Sequence, residues 1–527
     1  MAEFVFDLAI KLTEKLGSRA YDEISSAWGV KSDLRKLEAT MSAIKGVLLD
    51  AEEKQAHNQE VRSWLLQLKH LFRDTEDVLD EVECEALRRQ VVENFHGTSR
   101  KVRRFFLSSN PIAFRFRISH EIKNIRARIE ELKDNKAIFD LLTDRRANHE
   151  FSNVNDAIKK ENMTHSYVRA SEIIGRDSDK QVIADLLMQD GDDQSGTLSV
   201  IPIVGMGGEW CVVDSSTKDM AENVKHLSFL KFDNKLMVST MLQKCKKVQS
   251  ITADGTDEAP LDESFLDTCF SKCKYLRVLR LRELPLKELP SSIGTLKHLR
   301  YLNLVENVEI TKLPNAICML QSLQNLNLAG CENLQELPRD ISNLISLRFL
   351  ALTMKQACFQ DNGVGCLKSL QFLLIVQCSN LISFPRETSY LAALRILIIV
   401  GCEQLDLENQ HYQGIALRLE KFVIIGLPRI TELPQWLQGA ANTLQYLHIE
   451  VCSNLSSLPG WLRNLTSLRK LVLAKCPNLL SLPEGMDRLT ALRDLNIENC
   501  TELERRCDRN TGEDWPKIAH VPNISIS

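Results

Sequence analysis

Residues 323–338 read LQNLNLAGCENLQELP, and the same pattern recurs throughout the C-terminal half of the chain. An LxxLxL motif begins at Leu276, Leu299, Leu323, Leu347, Leu370, Leu394, Leu419, Leu444, Leu468 and Leu492, at steps of 23 to 25 residues. Within each unit the three apolar positions, such as Leu323, Leu326 and Leu328, share one side of a short strand. A fixed period of this length marks a stacked array, in which each unit buries its apolar face only against its neighbours.

Six units place a cysteine three residues past the last strand leucine or isoleucine: Cys331, Cys378, Cys402, Cys452, Cys476 and Cys500. A seventh has Asn307 there, so the position takes a small side chain turned inward. Successive cysteines sit in successive rungs, which argues for structure and against disulfides or a metal site. A Leu-Pro or Phe-Pro pair, from Leu289-Pro290 to Leu482-Pro483, follows in seven units and ends the inner turn, because proline cannot donate to further pairing. The period falls in the range of leucine-rich repeats. HLSFLKF (226–232) and VQSITAD (248–254) read as degenerate early units. The expectation is a curved α/β leucine-rich-repeat solenoid, a horseshoe of eleven or twelve repeats over residues 220–510.

The x positions of LxxLxL face outward. The first unit offers Arg277, Arg280 and Arg282, and the last offers Arg493, Asp494, Asn496 and Glu498. The middle units offer Phe349, Phe372, Leu374, Ile396, Ile398, Val423 and Ile425. A contiguous apolar stripe of this kind marks a protein-binding surface, or else is covered by another part of the same chain.

Residues 1–143 read as an α-helical, four-helix bundle. Phe4, Leu8, Leu12 and Leu16 open it; Leu34, Leu37, Met41, Ile44 and Leu48 follow. Val61, Leu65, Leu68, Phe72, Thr75, Leu79 and Val82 form a third stripe, and Ile118, Ile122, Ile125, Ile129 and Leu132 a fourth. Such stripes are buried against each other or against a partner. Asp33 has the position of an N-cap for the second helix. The connector SRKVRRFFLSSNPIAFRFRI (99–118) carries basic residues with Phe105, Phe106, Phe114 and Phe116, and reads as a solvated loop whose phenylalanines tuck into the bundle. Residues 144–172 turn polar and lose periodicity, as a linker does.

Composition bounds the function. The 527 residues carry a net charge of −4 and 44% hydrophobic residues, enough for sizeable cores and without the basic excess of a nucleic-acid binder. Glu3 and Asp7 stand where a secretion signal would be positive, no apolar run is long enough to cross a membrane, and the fifteen cysteines fit a reduced compartment. The expected location is cytoplasmic, with no specific nucleic-acid partner and membrane contact not predicted. No catalytic carboxylate pair, metal-ligand spacing or nucleophile motif stands out, so no enzyme activity is expected. Cys269 and Cys273 are too isolated to form a site.

TEDVLDE (75–81), EIIGRDSDKQVIADLL (172–187) and LSVIPIVGMGG (198–208), followed by the repeats, resemble a plant coiled-coil (Rx-type) nucleotide-binding leucine-rich-repeat disease-resistance protein. The resemblance covers residues 1–208 and about 220–527. It implies a helical domain, an ADP- or ATP-binding domain with Mg²⁺, and repeats that sense a pathogen effector or a guarded host protein, with sibling immune receptors as further partners. It also implies that Glu76, Asp77 and Asp80 dock on a basic repeat face, for which Arg277, Arg280, Arg282 and Arg300 are the candidates. Ile173, Ile174, Gly175 and Arg176 match the adenine-side segment, and Gly205, Gly207 and Gly208 the start of the phosphate loop.

The chain departs from the family at that loop. A phosphate loop requires Gly, Lys and a hydroxyl at the sixth to eighth positions, and counting from Gly205 these are Trp210, Cys211 and Val212. Residues 173–210 therefore read as a vestigial remnant, with no cofactor expected. Three readings stay open at this point: a recognition protein whose nucleotide switch is lost, an ADP/ATP-dependent switch, and a non-functional truncated fragment.

Overall fold

The computed structural model describes residues 2–18, 30–54, 59–94, 111–133, 210–213, 224–229, 242, 247–255, 263–359, 363–384, 391–407 and 418–527. The linker at 144–172 and the nucleotide-site candidates Ile173, Ile174, Gly175, Arg176, Gly205, Gly207 and Gly208 lie outside them. Two compact units divide the chain. One comprises Met1–Glu14, Lys36–Phe72 and Arg126–Gly207, and the other Lys15–Arg35, Arg73–Ile125 and Gly208–Ser527.

Four long helices occupy the N-terminal part: α1 (Ala2–Gly17), α2 (Lys31–Lys54), α3 (Gln59–Asn94) and α4 (Pro111–Lys133). Their heptad-like stripes are buried, with Leu37, Met41, Leu65, Leu68, Phe72, Thr75, Leu79, Ile118 and Ile129 all wholly enclosed. In the first unit the Trp64 indole N–H donates to the Leu132 carbonyl at 3.0 Å, tying α3 to α4. In the second, Arg117 of α4 pairs with Glu81 of α3, and the Lys15 ammonium reaches Asp80 at 2.8 Å and Glu83 at 2.7 Å. Asp33 is not an N-cap. The helix already begins at Lys31, and the Asp33 carboxylate instead accepts from the Ser119 hydroxyl at 2.7 Å, joining α2 to α4. Part of the expected loop at 99–118 is helical, because α4 starts at Pro111, a residue suited to the first turn. Phe114 is buried there, whereas Phe116 is 72% exposed. Among the described residues no helix is long and apolar enough to cross a membrane.

The second unit contains one parallel sheet of fourteen strands in sequence order. These are β1 (Trp210–Val213), β2 (His226–Phe229), β3 (Ser250–Asp254), β4 (Val278–Arg282), β5 (Tyr301–Asn303), β6 (Asn325–Leu328) and β7 (Phe349–Leu352), then β8 (Phe372–Val376), β9 (Ile396–Val400), β10 (Lys421–Ile425), β11 (Tyr446–Glu450), β12 (Lys470–Ala474), β13 (Asp494–Glu498) and β14 (Asn523–Ile526). Each LxxLxL unit supplies one strand. After β3 comes helix α5 (Glu263–Lys272), which buries Cys269. The returns to the sheet run through short 3₁₀ turns, several of which begin directly after the Leu-Pro pair, as at Ser291–Thr295 and Asn315–Met319. The sheet reaches beyond the expected span of 220–510 at both ends. Trp210–Val213 pairs in parallel with His226–Phe229, and Asn523–Ile526 with Asp494–Ile497.

The inward position after each strand works as its residue types require. Asn307 is fully buried. Its amide donates to the Leu281 carbonyl at 2.7 Å and to the Leu304 carbonyl at 2.8 Å, and accepts from the Leu284 N–H at 3.0 Å. Cys331 at the same place donates to the Leu304 carbonyl at 3.2 Å, and burial pushes its thiol up to about 12. The residue just before this position is left-handed in several rungs, at Glu306 (φ 60°), Gly330 (75°), Gln377 (52°), Gly401 (63°) and Val451 (54°). Among the described residues every cysteine is a free thiol.

Candidate functional site

The residue after the first leucine of a repeat ends up at the leading edge of the sheet, just before the strand. Backbone hydrogen bonds fix these residues as a ladder, with Gln249 N bonding Lys225 O, Arg277 N bonding Gln249 O, Arg300 N bonding Arg277 O and Gln324 N bonding Arg300 O, all at 2.7–2.8 Å. In the same compact unit, the C-terminal half of α3 presents Asp74, Glu76, Asp77 and Asp80 to this ladder. The Arg277 guanidinium reaches Glu76 at 3.2 Å, Asp77 at 2.8 Å and Asp80 at 3.0 Å. Arg300 meets Asp80 at 2.7 Å, Gln249 donates weakly to Asp77 at 3.4 Å, and Lys247 pairs with Asp74. Glu76, Asp77 and Asp80 are buried, at 8%, 5% and 2% exposure.

Arg280 and Arg282 are not part of this cluster. They lie on the strand itself, about 10 and 16 Å farther along than Arg277 at a strand rise of roughly 3.3 Å per residue. Arg280 pairs with Asp254 at 3.2 Å, and Arg282 with Glu283 at 2.7 Å and Glu306 at 2.8 Å. Lys225 and Gln249 complete the ladder, and Lys247 adds a pair with Asp74 beside it; none of the three was anticipated from sequence. The signal for Lys225 and Gln249 was the degenerate early units, in which Val224 and Val248 stand where later repeats have leucine.

The two central carboxylates titrate in opposite directions. Burial pushes Asp77 up to about 6, with Arg277 and Lys225 opposing and the neighbouring Asp80 adding to the rise. For Asp80 burial would also raise the value, but Arg277, Arg300 and Lys15 together outweigh it and hold the group below the usual carboxylate range. Two acids that share one guanidinium divide in this way because the second charge gains least from it. Burial likewise lowers Lys225 to about 8.

Next to Asp80, a small polar cavity is lined by Glu83, Cys84, His298, Arg300, Ser322 and Gln324. The Cys84 thiol lies 3.0 Å from the Ser322 hydroxyl and 3.2 Å from the Lys297 carbonyl, and burial pushes it up to about 12. His298 is 3.8 Å away and is held neutral, mainly by burial. A protonated thiol beside a neutral imidazole, closed in by α3, is a packing contact rather than an activated nucleophile.

The apolar candidates occupy the outward face of the middle strands. Phe349, Phe372, Leu374, Ile396, Ile398 and Ile425 are half-buried among one another, and Val423 is 5% exposed. Phe349 and Phe372 pair in register and stack with centroids 4.6 Å apart. Arg493, Asp494, Asn496 and Glu498 lie at the far end of the sheet, where Asp494 accepts from the Asn523 amide at 2.9 Å. Trp210, Cys211 and Val212, the positions a phosphate loop would need, are paired strand residues of β1. An extended, strand-paired backbone is not the concave nest of N–H groups that holds phosphate.

Residues 10–134 match the Rx N-terminal domain, and residues 247–462 match a leucine-rich repeat region. The disease resistance protein RGA2 of Solanum bulbocastanum is 30% identical over 199 residues, covering 37% of this chain and 18% of that protein. The putative disease resistance protein RGA4 of the same species is 44% identical over 200 residues, with the same shares. The putative disease resistance RPP13-like protein 1 of Arabidopsis thaliana is 30% identical over 184 residues, 33% of this chain and 16% of that protein. The matched stretch thus spans less than a fifth of each of these relatives. Among solved structures, a leucine-rich-repeat protein of Leptospira interrogans is 19% identical and covers 59% of this chain and 93% of that one, with a TM-score of 0.34.

Proposed function

From a chain that joins an Rx-type N-terminal domain to a leucine-rich-repeat region, and whose relatives are plant disease resistance proteins, we propose a cytoplasmic defence protein that acts by protein–protein recognition, without catalysis and without a nucleotide switch. The outward face of the repeats senses a pathogen effector or a guarded host protein. The helical domain engages host factors or sibling receptors, and its docking on the repeats restrains it. The observation that carries this reading is the buried contact of Glu76, Asp77 and Asp80 with Arg277 and Arg300. It couples the two modules directly, while the outward face of β7–β10 keeps its apolar stripe. The loss of the switch is supported by Trp210–Val213 being a strand of the repeat sheet.

Titration calorimetry of the full chain with ADP and with ATP, each with Mg²⁺, tests the switch, since saturable micromolar binding overturns its loss. Expression in leaf tissue tests the restraint. Arg277→Glu should raise defence output in the absence of a pathogen, and an output equal to wild type would remove the docking contact from regulation.

A further inference from the structure

The repeat sheet ends on β14, Asn523–Ile526, and among the described residues no strand pairs with its outer edge. β14 joins β13 with Leu495 opposite Ile524 and Ile497 opposite Ile526. The two isoleucines thus extend the inward apolar column of the repeats. Leu495 and Ile497 are wholly enclosed, whereas Ile524 and Ile526 pack against the core on one side and stay half-buried. The backbone alternates as well. The Asn523 N–H donates to the Arg493 carbonyl at 2.9 Å and the Ser527 N–H to the Ile497 carbonyl at 3.0 Å, while the Ser527 carbonyl accepts from the Asn499 N–H at 2.9 Å. The odd-numbered residues therefore bond to β13, and the N–H and C=O groups of Ile524 and Ile526 point to the open edge. Such an edge is ordinarily blunted by a charge, a proline or a bulge. Residues 521–527 carry no charged side chain, and Pro522 stands just before the paired stretch.

We infer that β14 is the contact between two copies of this chain, paired antiparallel about a two-fold axis at Ser525. The register selects this occupant. With Ser525 on the axis, Ile524 lies opposite the partner's Ile526 and Ile526 opposite the partner's Ile524. The residues whose backbone groups face outward are then those that exchange both hydrogen bonds of an antiparallel pair. Directly opposed side chains leave the same face of a sheet, so the isoleucines of both copies meet on the inner side and cover the half-exposed end of each core. The lack of charge on the strand lets identical edges approach without like-charge repulsion. A parallel continuation onto β1 of another copy would also satisfy the edge, but it does not close and builds a filament. A pair of short strands falls below the roughly 1,200 Å² at which stable interfaces begin, so the association is weak, micromolar at best. It stands apart from what the outward face recognises.

Sedimentation of the full-length chain, from micromolar to a few hundred micromolar, tests the inference. The mean mass should rise with concentration toward twice that of the chain. Ser525 is exposed, and the axis sets it against its own copy. Ser525→Lys therefore opposes two ammoniums and should weaken the association about fivefold or more, as should Ser525→Glu with two carboxylates. An equal mixture of the two variants should recover it, because the opposed charges are then unlike. The pair on the axis is not hydrogen-bonded, which brings its Cα atoms to about 4.5 Å, within disulfide reach. Ser525→Cys should therefore cross-link under a mild oxidant to a species of double mass, in a yield above that of the wild type. Melting curves of each variant check that the repeats remain folded. A wild-type chain that stays monomeric at the highest concentration would overturn the inference. So would a dimer indifferent to both charges, or a Ser525→Cys yield equal to wild type. Masses that climb past two copies would assign the edge to head-to-tail stacking on β1 and overturn the two-fold pairing.

Discussion

Replacing Arg277 by Gln should release the C-terminal half of α3 from the repeats. The guanidinium is 14% exposed and forks onto three carboxylates that are 11%, 6% and 3% exposed, at 2.8 to 3.2 Å. Removing one partner of a buried ion pair costs about 3–5 kcal/mol, because the remaining charge stays desolvated. Two features moderate this. Asp80 keeps Arg300 at 2.7 Å and Lys15 at 2.8 Å, and Asp77 already binds a proton near pH 6. The expected loss is therefore about 3 kcal/mol, the lower end of that range and roughly a 100-fold rise in the population in which α3 is detached. Hydrogen exchange of residues 73–91 in the full chain reads that population directly. Arg277→Lys should fall between, since an ammonium cannot fork onto all three acids. Arg280→Gln is the control. Its pair with Asp254 is 40% and 57% exposed, and such pairs contribute under about 1 kcal/mol. Equal exchange in wild type and Arg277→Gln, or equal increases in the 277 and 280 variants, would refute the reasoning.

Asp77 and Asp80 should give opposite pH signatures. The raised folded-state pKa of Asp77, about 6 against an ordinary 3.8, means that the folded form binds its proton more tightly, so this group favours docking increasingly as pH falls from about 6 to about 4 and disfavours it above, by about 3 kcal/mol. Asp77→Asn should leave α3 protection at pH 7.5 unchanged or higher and remove its gain at pH 5, whereas Asp80→Asn should lower protection at pH 7.5, because a depressed carboxylate stabilises above its unfolded pKa and loses this as pH falls. Asn307→Ala strips three hydrogen bonds from buried backbone groups and should cost about 3 kcal/mol in urea unfolding. Val451, a β-branched residue at φ 54° where the preceding rung has Gly426, should gain stability on replacement by Gly, about 0.5–1 kcal/mol after the extra freedom of the unfolded chain is deducted. A loss of stability there would show that the side chain, 43% exposed, contributes packing that outweighs the strain.

The repeats were legible because burial enforces the period, and every LxxLxL unit supplies a strand. The ends of the array were less so. Trp210–Val213 and Asn523–Ile526 have no leucine motif and join the sheet through backbone pairing, which leaves little trace in side-chain pattern. The acidic half of the candidate site stood out by resemblance, but the basic half was only partly located. Sequence treats Arg277, Arg280 and Arg282 alike as outward residues of one repeat. In three dimensions only the position preceding the strand faces α3, so Arg300, one repeat away, is closer to Asp80 than Arg280 is. A site built across rungs is read by comparing the same position in successive units, which yields Lys225, Gln249, Arg277, Arg300 and Gln324.

The same comparison links the two surfaces of the repeat sheet. Outward cations on neighbouring strands stand only one or two strand spacings apart, so wherever the units carry lysine or arginine in register, a concentrated positive site arises on a surface already half desolvated. At the leading edge of β4 and β5 the chain supplies the counter-charge itself, from three acids of α3. At β10 and β12 lysines flank Tyr446 as well, but there an acid stands on the next strand, Asp494 in register with Lys470, and Glu420 and Glu450 are paired to other bases. Partly exposed single charges contribute less than a buried guanidinium that forks onto three acids, so Lys470→Gln should cost under about 1 kcal/mol in urea unfolding where Arg277→Gln costs about 3 kcal/mol. Equal losses in the two variants would mean that burial does not govern the strength of these cation sites.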